Sequence, residues 1–191
     1  MKTGTETQME LTRTNYWADF AQLTKMRLAF SVVFSSFAGY LLAADTFDWS
    51  LLLMLLIGGF GLVGASNAYN QIIEIDLDAL MSRTRNRPLP AGRMTKTQAF
   101  WTASLLSLLG IYSLFLINTK TAFFGGLSLL IYVAIYTPLK TKTPLAVFVG
   151  AFPGAIPFML GWVAATGEFG VEPGMLFMLQ FFWQFPHFWA I

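Results

Sequence analysis

Three oxygen-bearing side chains stand at every fourth position of one polar segment: Asn70, Glu74 and Asp78. In a helix they fall within an arc of about 80° and form a stripe roughly 12 Å long, whereas Asp76 points elsewhere. Carboxylate and amide oxygens suit Mg²⁺, which takes one or two carboxylates and completes its shell with water and phosphate oxygens. The spacing therefore favours Asn70, Glu74 and Asp78, here called the acidic face, as catalytic and metal-binding residues.

Basic side chains follow the acidic face directly, at Arg83, Arg85 and Arg87. Guanidinium groups bind phosphate bidentately. A site for a metal ion and a diphosphate requires acidic side chains for the metal and basic side chains for the phosphates, and this segment has both. The alternative interpretation is a solvated helix end with positive membrane anchors. Placing an acidic side chain close to the membrane interior costs free energy, and such residues usually have a function. This favours the functional interpretation of the acidic face.

Four lysines and arginines outside that segment are further candidates for binding diphosphate. Lys140 and Lys142 stand between Pro138 and Pro144 in a short, stiff turn, and Lys25 and Arg27 precede an apolar segment. Anchoring at the membrane surface is the alternative for all four. For Lys25 and Arg27 it is the simpler interpretation.

The single histidine, His187, lies in an apolar segment close to Gln184. The two share a face if the helix continues through Pro186. Neutral imidazole can bind haem iron or move a proton, but an interior group satisfied by hydrogen bonds is the alternative.

Pro153 and Pro157 interrupt another apolar segment, and broken backbone in lipid is tolerated only inside protein or beside a cavity. The prolines therefore predict a kink around a buried site.

The elements that position these residues follow from composition. The chain of 191 residues is 55% apolar and 12% charged, against about 45–50% and about 25% in soluble domains. We expect an all-α, polytopic membrane helical bundle with six spans, at residues 28–44, 49–69, 99–117, 122–137, 145–166 and 174–191. Residues 1–22 form a cytoplasmic N-terminal segment, residues 23–191 the intramembrane domain, and residues 70–97 the catalytic cytoplasmic connection.

The absence of cysteine removes disulfides, thiolate metal sites and a cysteine nucleophile. A net charge of +2 gives no reason to expect nucleic acid as a partner.

The distribution of Lys and Arg fixes the orientation. With the N-terminus in the cytoplasm, every one of them except Lys120 falls on the cytoplasmic side. A continuous helix from about Trp49 to about Leu80 would be about 45 Å long and would place the acidic face at the cytoplasmic boundary. We expect a multi-pass protein of the cell inner membrane, or of the mitochondrial inner membrane in a eukaryote. The absence of a transit-peptide pattern favours a bacterium.

The polar segment resembles a family motif. Asn70-xxx-Glu74-xxx-Asp78, followed by Met81-x-Arg83-Thr84-x-x-Arg87-Pro88-Leu89-Pro90, resembles the first aspartate-rich motif of the UbiA-type intramembrane prenyltransferases. Family members usually have Asp at the position of Glu74, which keeps the charge and the ligand oxygen.

Further stretches look like the haem O synthase branch of that family, and the resemblance runs from about Leu23 to Ile191. These stretches are Tyr136-Thr-Pro-Leu-Lys140, Gly150–Trp162, Trp183-Gln-Phe-Pro-His-Phe188 and Thr24-Lys25-x-Arg27, the last with Met26 where Pro is usual.

The resemblance implies transfer of the farnesyl group of farnesyl diphosphate to a vinyl group of haem b, with Mg²⁺ as cofactor. It implies that the acidic face holds Mg²⁺ and that Gln184 and His187 face the haem. Its candidate partners, besides the lipid bilayer, are haem A synthase or oxidase assembly proteins. The implied diphosphate-binding residues are Arg83, Arg87, Lys140, Lys142, Lys25 and Arg27.

The resemblance also implies nine spans and a second aspartate-rich motif after the sixth. The acids that follow Asp78 are Glu168 and Glu172, both on the outer side. We therefore expect these 191 residues to be a truncated sequence that forms no haem O when expressed alone.

Two other functions remain open. An aromatic polyprenyltransferase of quinone biosynthesis would explain residues 70–90 but not the Gln184–His187 segment. A transporter or assembly protein without catalysis would bind a coupling ion, and predicts charges near the membrane midplane and inverted repeats. The position of the acids at one boundary, beside arginines, favours phosphate chemistry.

Overall fold

The computed structural model describes residues 15–189, and every regular element in that range is helical. Most of the N-terminal segment predicted at residues 1–22, including Lys2 and Arg13, lies outside the described residues. The last two positions of the chain also lie outside them.

The helices follow one another through short connections. In chain order they are α1 (Tyr16–Leu23), α2 (Met26–Ala43), α3 (Trp49–Ile73), α4 (Ile75–Leu80), α5 (Lys96–Ile117), α6 (Thr119–Leu130), α7 (Leu145–Thr166) and α8 (Val171–Trp189). Helix α6 continues through a π-helical segment, Ile131–Tyr136, into a last turn, Thr137–Leu139.

Five of the described helices are long and apolar enough to cross a membrane: α2, α3, α5, the extended α6 (Thr119–Leu139) and α7. They match the first five predicted spans and make the chain an all-α, multi-pass membrane bundle. The sixth prediction, residues 174–191, coincides with α8. Gln180, Gln184 and His187 reduce the mean hydropathy of α8, so it does not qualify as a span by composition, although it packs along α7.

Small residues bring the helices together. A Cβ atom on Gly161 of α7 would collide with the backbone of Ser36 and Tyr40 on α2, and one on Gly39 would collide with the carbonyl of Phe158. Helices α3 and α5 approach in the same way at Gly61 and Gly110. Close approach at glycines is how membrane helices gain packing energy without a hydrophobic driving force. The result is a bundle in which α2 packs on α7 and α3 on α5.

The prediction of one continuous helix from Trp49 to Leu80 is wrong at one residue. Helix α3 ends at Ile73, and Glu74 leaves helical geometry with φ −98° and ψ 11° before α4 begins. The amide of Glu74 still donates to Asn70 O at 3.0 Å, and the amide of Asp78 to Glu74 O at 2.8 Å. Because these bonds keep helical spacing across the break, the three side chains of the acidic face stay in register.

Helix α7 runs unbroken through Pro153 and Pro157. A proline has no amide N–H, so Pro157 leaves the carbonyl of Pro153 without its helical partner. The hydroxyl of Ser128 on α6 lies 3.5 Å from that carbonyl and donates to it. A neighbouring helix thus satisfies the backbone group that the proline releases, as expected within a membrane bundle.

Candidate functional site

The acidic face is turned into the protein. Asn70, Glu74 and Asp78 are 1%, 5% and 3% exposed, respectively, whereas Asp76 is exposed. Burying a carboxylate is costly unless a charge or a hydrogen bond compensates it. Each of the two carboxylates must therefore have a partner.

The partner of Glu74 is Lys140, from the turn of residues 140–144 that follows α6. Its Nζ lies 2.6 Å from Oε1 of Glu74 and donates a hydrogen bond of 2.7 Å to Oε2. The contact spans 66 positions of sequence and joins the α3–α4 break to the end of α6. Two candidate residues from separate segments therefore meet at one place.

The partner of Asp78 is Arg87, whose Nη1 lies 2.6 Å from Oδ2 of the carboxylate. The connection of residues 81–95, here called the arginine loop, is folded to make this contact. The hydroxyl of Thr84 donates to Asp78 O at 2.9 Å, and the amide of Arg87 donates to Thr84 O at 2.9 Å. Pro88 and Leu89, which belong to this loop, are buried. Thr84 thus binds the backbone of Asp78 and thereby places Arg87 beside the carboxylate of the same residue.

Asn70 is held by the π-helical end of α6. Its Nδ2 donates to Oγ1 of Thr137 at 3.3 Å, and that hydroxyl donates to Tyr132 O at 2.8 Å, five residues earlier. The amide of Thr137 also donates to Tyr132 O, which is the π-helical spacing. Thr137 could not be recognised as a site residue from the sequence, because a π-helical turn has no simple sequence signature.

Lys25 faces the same site from the α1–α2 connection. Its backbone is left-handed, with φ 48° and ψ 55°, an uncommon conformation for a residue other than glycine. Nε2 of Gln71 holds the connection by donating to Gln22 O at 3.1 Å and Leu23 O at 2.8 Å. Burial, helped by the charges of Arg87 and Lys140, lowers the pKa of Lys25 to about 8, against the opposing effect of the two carboxylates. Lys25 therefore lies in the electrostatic environment of Glu74, Asp78, Arg87 and Lys140.

A second contact missed from the sequence ties α1 to the arginine loop. Arg93 donates through Nε to the buried Asp19 at 2.7 Å and through Nη2 to Gln22 at 2.8 Å. The partners are about 70 positions apart, so no local spacing could have indicated them. This contact fixes the far end of the loop that carries Arg87.

Four other predicted cations remain at the surface: Arg83, Arg85, Arg27 and Lys142 are exposed. None of them forms a salt bridge within the described part of the chain. They add positive charge around the site without contacting the acidic face.

The structure does not bring Gln184 and His187 into one environment. Gln184 is 9% exposed and packs against Gly154 of α7, where an added Cβ would meet its amide group. His187 is exposed, and its ring stacks on Trp183 with centroids 4.9 Å apart. A cavity of about 440 Å³ opens nearby, between residues 140–144 and Phe188 of α8, with Lys140 in its wall.

The donor set fits a hard divalent cation. No group of three or more His, Cys, Asp or Glu residues gathers anywhere within residues 15–189. Two buried carboxylates and an amide on one face instead suit Mg²⁺, which completes its shell with water and phosphate oxygens. Lys25, Arg87 and Lys140 around them supply positive charge for an anionic group.

The model of the UbiA prenyltransferase family matches residues 32–191 of the chain. Over 174 residues the chain is 70% identical to a protoheme IX farnesyltransferase of Christiangramia forsetii, covering 91% of this chain and 58% of that protein. Over 176 residues it is 63% identical to the protein of that name from Flavobacterium johnsoniae, covering 91% and 59%. The chain thus spans just under three fifths of the length of these curated relatives.

Two solved structures share the fold. A structure of digeranylgeranylglyceryl phosphate synthase superimposes with a TM-score of 0.79 at 20% identity, covering 86% of this chain and 58% of that one. A UbiA homolog from Archaeoglobus fulgidus, solved bound to GPP and Mg²⁺, gives 0.74 at 15% identity, covering 88% and 62%. At these identities the likeness concerns the helical architecture alone.

Proposed function

The chain belongs to the UbiA prenyltransferase family, and on that premise we propose that it takes part in transferring the farnesyl group of farnesyl diphosphate to a vinyl group of haem b. The observation that carries the proposal is the pair of buried carboxylates, each bound by a cation, at one polar end of a membrane bundle. The names of relatives up to 70% identical support farnesyl diphosphate and haem as the substrates.

In this proposal Asn70, Glu74 and Asp78 hold Mg²⁺, which supplies Lewis-acid stabilisation of charge on the departing diphosphate. The residues of the chain hold the oxygens in place. Thr137 fixes the amide of Asn70, and the hydrogen bonds across the break at Glu74 keep both carboxylates on one face. Pre-positioned ligands of this kind need no reorganisation as the bond breaks.

The cations bind the diphosphate and stabilise it as it leaves. Lys25, Arg87 and Lys140 lie within the electrostatic reach of one another and of both carboxylates. Arg83, Arg27 and Lys142 are proposed as outer contacts that attract the anion, since they are exposed and free of salt bridges in residues 15–189. The apolar helices exclude water from the allylic cation until the vinyl group has captured it. Water then adds to the carbocation formed on the haem side chain and loses a proton, while diphosphate departs as the leaving group.

The acceptor side is proposed at α8. His187 is accessible and presents a flat aromatic stack with Trp183, which suits a planar molecule. Gln184 contributes a polar group from the α7–α8 interface. The neighbouring cavity beside Lys140 supports an acceptor that approaches next to the diphosphate site. We propose the cytoplasmic face of the inner membrane as the place of reaction, with haem A synthase or oxidase assembly proteins as partners.

A chimera tests the proposal directly. The 191 residues replace the matching part of the Christiangramia forsetii relative, and haem O formed from farnesyl diphosphate, haem b and Mg²⁺ is measured by mass spectrometry. Changing Asp78→Asn removes one carboxylate and should reduce the rate at least about 100-fold, the scale of losing a transition-state electrostatic contact. Asp76→Asn is the matched control, because Asp76 is exposed on another side of the same helix.

The acceptor is tested separately in the same chimera. His187→Ala should reduce haem use while leaving the binding of farnesyl diphosphate unchanged. Full Mg²⁺-dependent activity of Asp78→Asn, or an equal loss in Asp76→Asn, would refute the assignment of the metal site. Activity with 4-hydroxybenzoate but not with haem would instead favour an aromatic acceptor.

A further inference from the structure

Both carboxylates of the proposed metal site are already occupied by side chains of the same chain. Lys140 lies against both oxygens of Glu74, and Arg87 lies 2.6 Å from Oδ2 of Asp78. A divalent metal ion bound to these carboxylates would lie beside both cations and be repelled by them, so the metal ion and the two cations compete for the same acids. The same two cations are those proposed to bind the diphosphate. Each therefore has two alternative anionic partners within one site.

We propose that Lys140 and Arg87 are exchangeable counter-ions, which neutralise Glu74 and Asp78 in the empty site and turn to the phosphate oxygens when Mg²⁺ and diphosphate bind together. This inference rests on the proposed function, since it concerns the same site. It assigns the two cations a role in the empty protein as well as in the complex, and it makes the two ligands depend on each other.

Burial explains why the exchange needs both ligands. A buried carboxylate left without a counter-ion costs several kcal/mol. Diphosphate alone would draw the cations away and leave two such carboxylates on the buried residues Glu74 and Asp78. Mg²⁺ alone would place two further positive charges beside Lys25, Arg87 and Lys140. Bound together, each ligand supplies the counter-charge that the other displaces.

Accessibility of the cations permits the exchange. The side chains of Lys140 and Arg87 are 35% and 19% exposed, whereas the carboxylates they bind are 7% and 5% exposed. Lys140 stands on a short turn at the end of α6 and in the wall of the open cavity, so its ammonium can swing without moving a helix. The carboxylates stay where the backbone of α3 and α4 holds them.

The decisive test is whether one substitution changes two affinities in opposite directions. Mn²⁺, read by electron paramagnetic resonance, stands in for Mg²⁺, and farnesyl S-thiolodiphosphate stands in for the substrate, each titrated alone into the purified chimera with the Christiangramia forsetii relative. In Lys140→Gln the affinity for Mn²⁺ alone should rise about tenfold, because its competitor is gone, while the affinity for thiolodiphosphate falls about tenfold; both lie within the usual range of coupling between ligands. A merely structural role of Lys140 would weaken both.

Lys142→Gln is the matched comparison: it removes the same charge from the same turn, but from an exposed side chain with no salt bridge among the described residues. Its affinity for Mn²⁺ should rise less than twofold. An equal rise in both variants, or weaker Mn²⁺ binding in Lys140→Gln, overturns the exchange. Arg87→Gln should likewise bind Mn²⁺ more tightly and thiolodiphosphate more weakly. It serves as the test variant if Lys140→Gln does not fold.

The wild-type titrations separate this inference from the proposed function. If the chimera binds neither Mn²⁺ nor thiolodiphosphate, alone or together, the metal–diphosphate site is wrong, and the exchange fails with it. If the wild type binds both but Lys140→Gln leaves the affinity for Mn²⁺ unchanged, the site stands and the exchange alone is refuted.

Discussion

Glu74 and Asp78 are buried, and the charge of each carboxylate is compensated by a cation of the same chain. Removing one partner of a buried pair costs about 3–5 kcal/mol, whereas the intact pair adds little net stability. The cost is lower here because the cations are partly exposed and therefore partly solvated. The pairs compensate the negative charge of both carboxylates in a desolvated position.

Lys25 gives the site a predicted dependence on pH. Its pKa of about 8 lies well below the ordinary value of 10.5, because burial and the charges of Arg87 and Lys140 outweigh the attraction of Glu74 and Asp78. The empty site therefore loses this positive charge as the pH rises through 8. The affinity for farnesyl S-thiolodiphosphate at fixed Mg²⁺ should fall above pH 8, by up to about tenfold per pH unit.

Lys25→Arg is the control for that pH dependence, because a guanidinium stays charged across this range. Titrations by calorimetry between pH 7 and 9.5 should show a flat affinity for this variant. An equal decline in wild type and Lys25→Arg would mean that another group is responsible.

Single residues also show where sequence reasoning reaches its limit. The every-fourth spacing predicted that Asn70, Glu74 and Asp78 share a face, because helical geometry is local. It could not predict that Lys140 pairs with Glu74 or Arg93 with Asp19, since those contacts depend on how distant helices pack. Gln71, one position beyond Asn70, had no visible role until its contact with the end of α1 was seen.

At the scale of elements, two irregular turns position the polar side chains of the site. The break at Glu74 separates α3 from α4, and the π-helical segment Ile131–Tyr136 precedes Thr137. Each places a polar side chain beside the other element: Glu74 meets Lys140, and Asn70 meets Thr137. Hydropathy and charge predicted the helices that carry these turns, but neither pattern contains the information for a local change of helical type.

The α2–α7 contact is predicted to be sensitive to size. A methyl group on Gly161 would meet the carbonyl of Ser36 and the amide of Tyr40, which are backbone atoms that cannot rotate away. Gly161→Ala should therefore lower the free energy of unfolding by at least about 1–3 kcal/mol, the usual cost of overpacking. Thermal unfolding of the purified protein, followed by tryptophan fluorescence, measures the effect.

Gly126 on α6 provides the matched control for Gly161, because nothing lies within 4 Å of the position that its Cβ would take. Gly126→Ala should be neutral or stabilise the helix by up to about 1 kcal/mol, as alanine is the better helix former. Similar melting temperatures for the two variants would contradict the backbone-to-backbone packing of α2 and α7.

For the whole molecule, composition and charge predicted the architecture well because the bilayer imposes it. Spans must be helical and about 20 residues long, and Lys and Arg accumulate on one side. Five predicted spans are confirmed as helices, while α8, as far as the structure describes it, has too low a mean hydropathy to qualify as a span. The Lys140–Glu74 and Arg93–Asp19 contacts join the predicted cytoplasmic segments at one end of the bundle. The Asn118–Val163 hydrogen bond lies at the other end.

The orientation of that bundle can be tested in a chain that has no cysteine of its own. Single cysteines replace exposed residues, at Ser82 and Thr141 on the predicted cytoplasmic side and at Thr46 and Glu168 on the outer side. A membrane-impermeant maleimide should label the outer pair in intact spheroplasts and the cytoplasmic pair only in inverted vesicles. The positive-inside distribution requires this result, because reversing it would move every Lys and Arg except Lys120 across the membrane. Labelling of Ser82→Cys and Thr141→Cys from opposite sides would contradict the order of spans, since Lys140 and Arg87 could not then reach one acidic face.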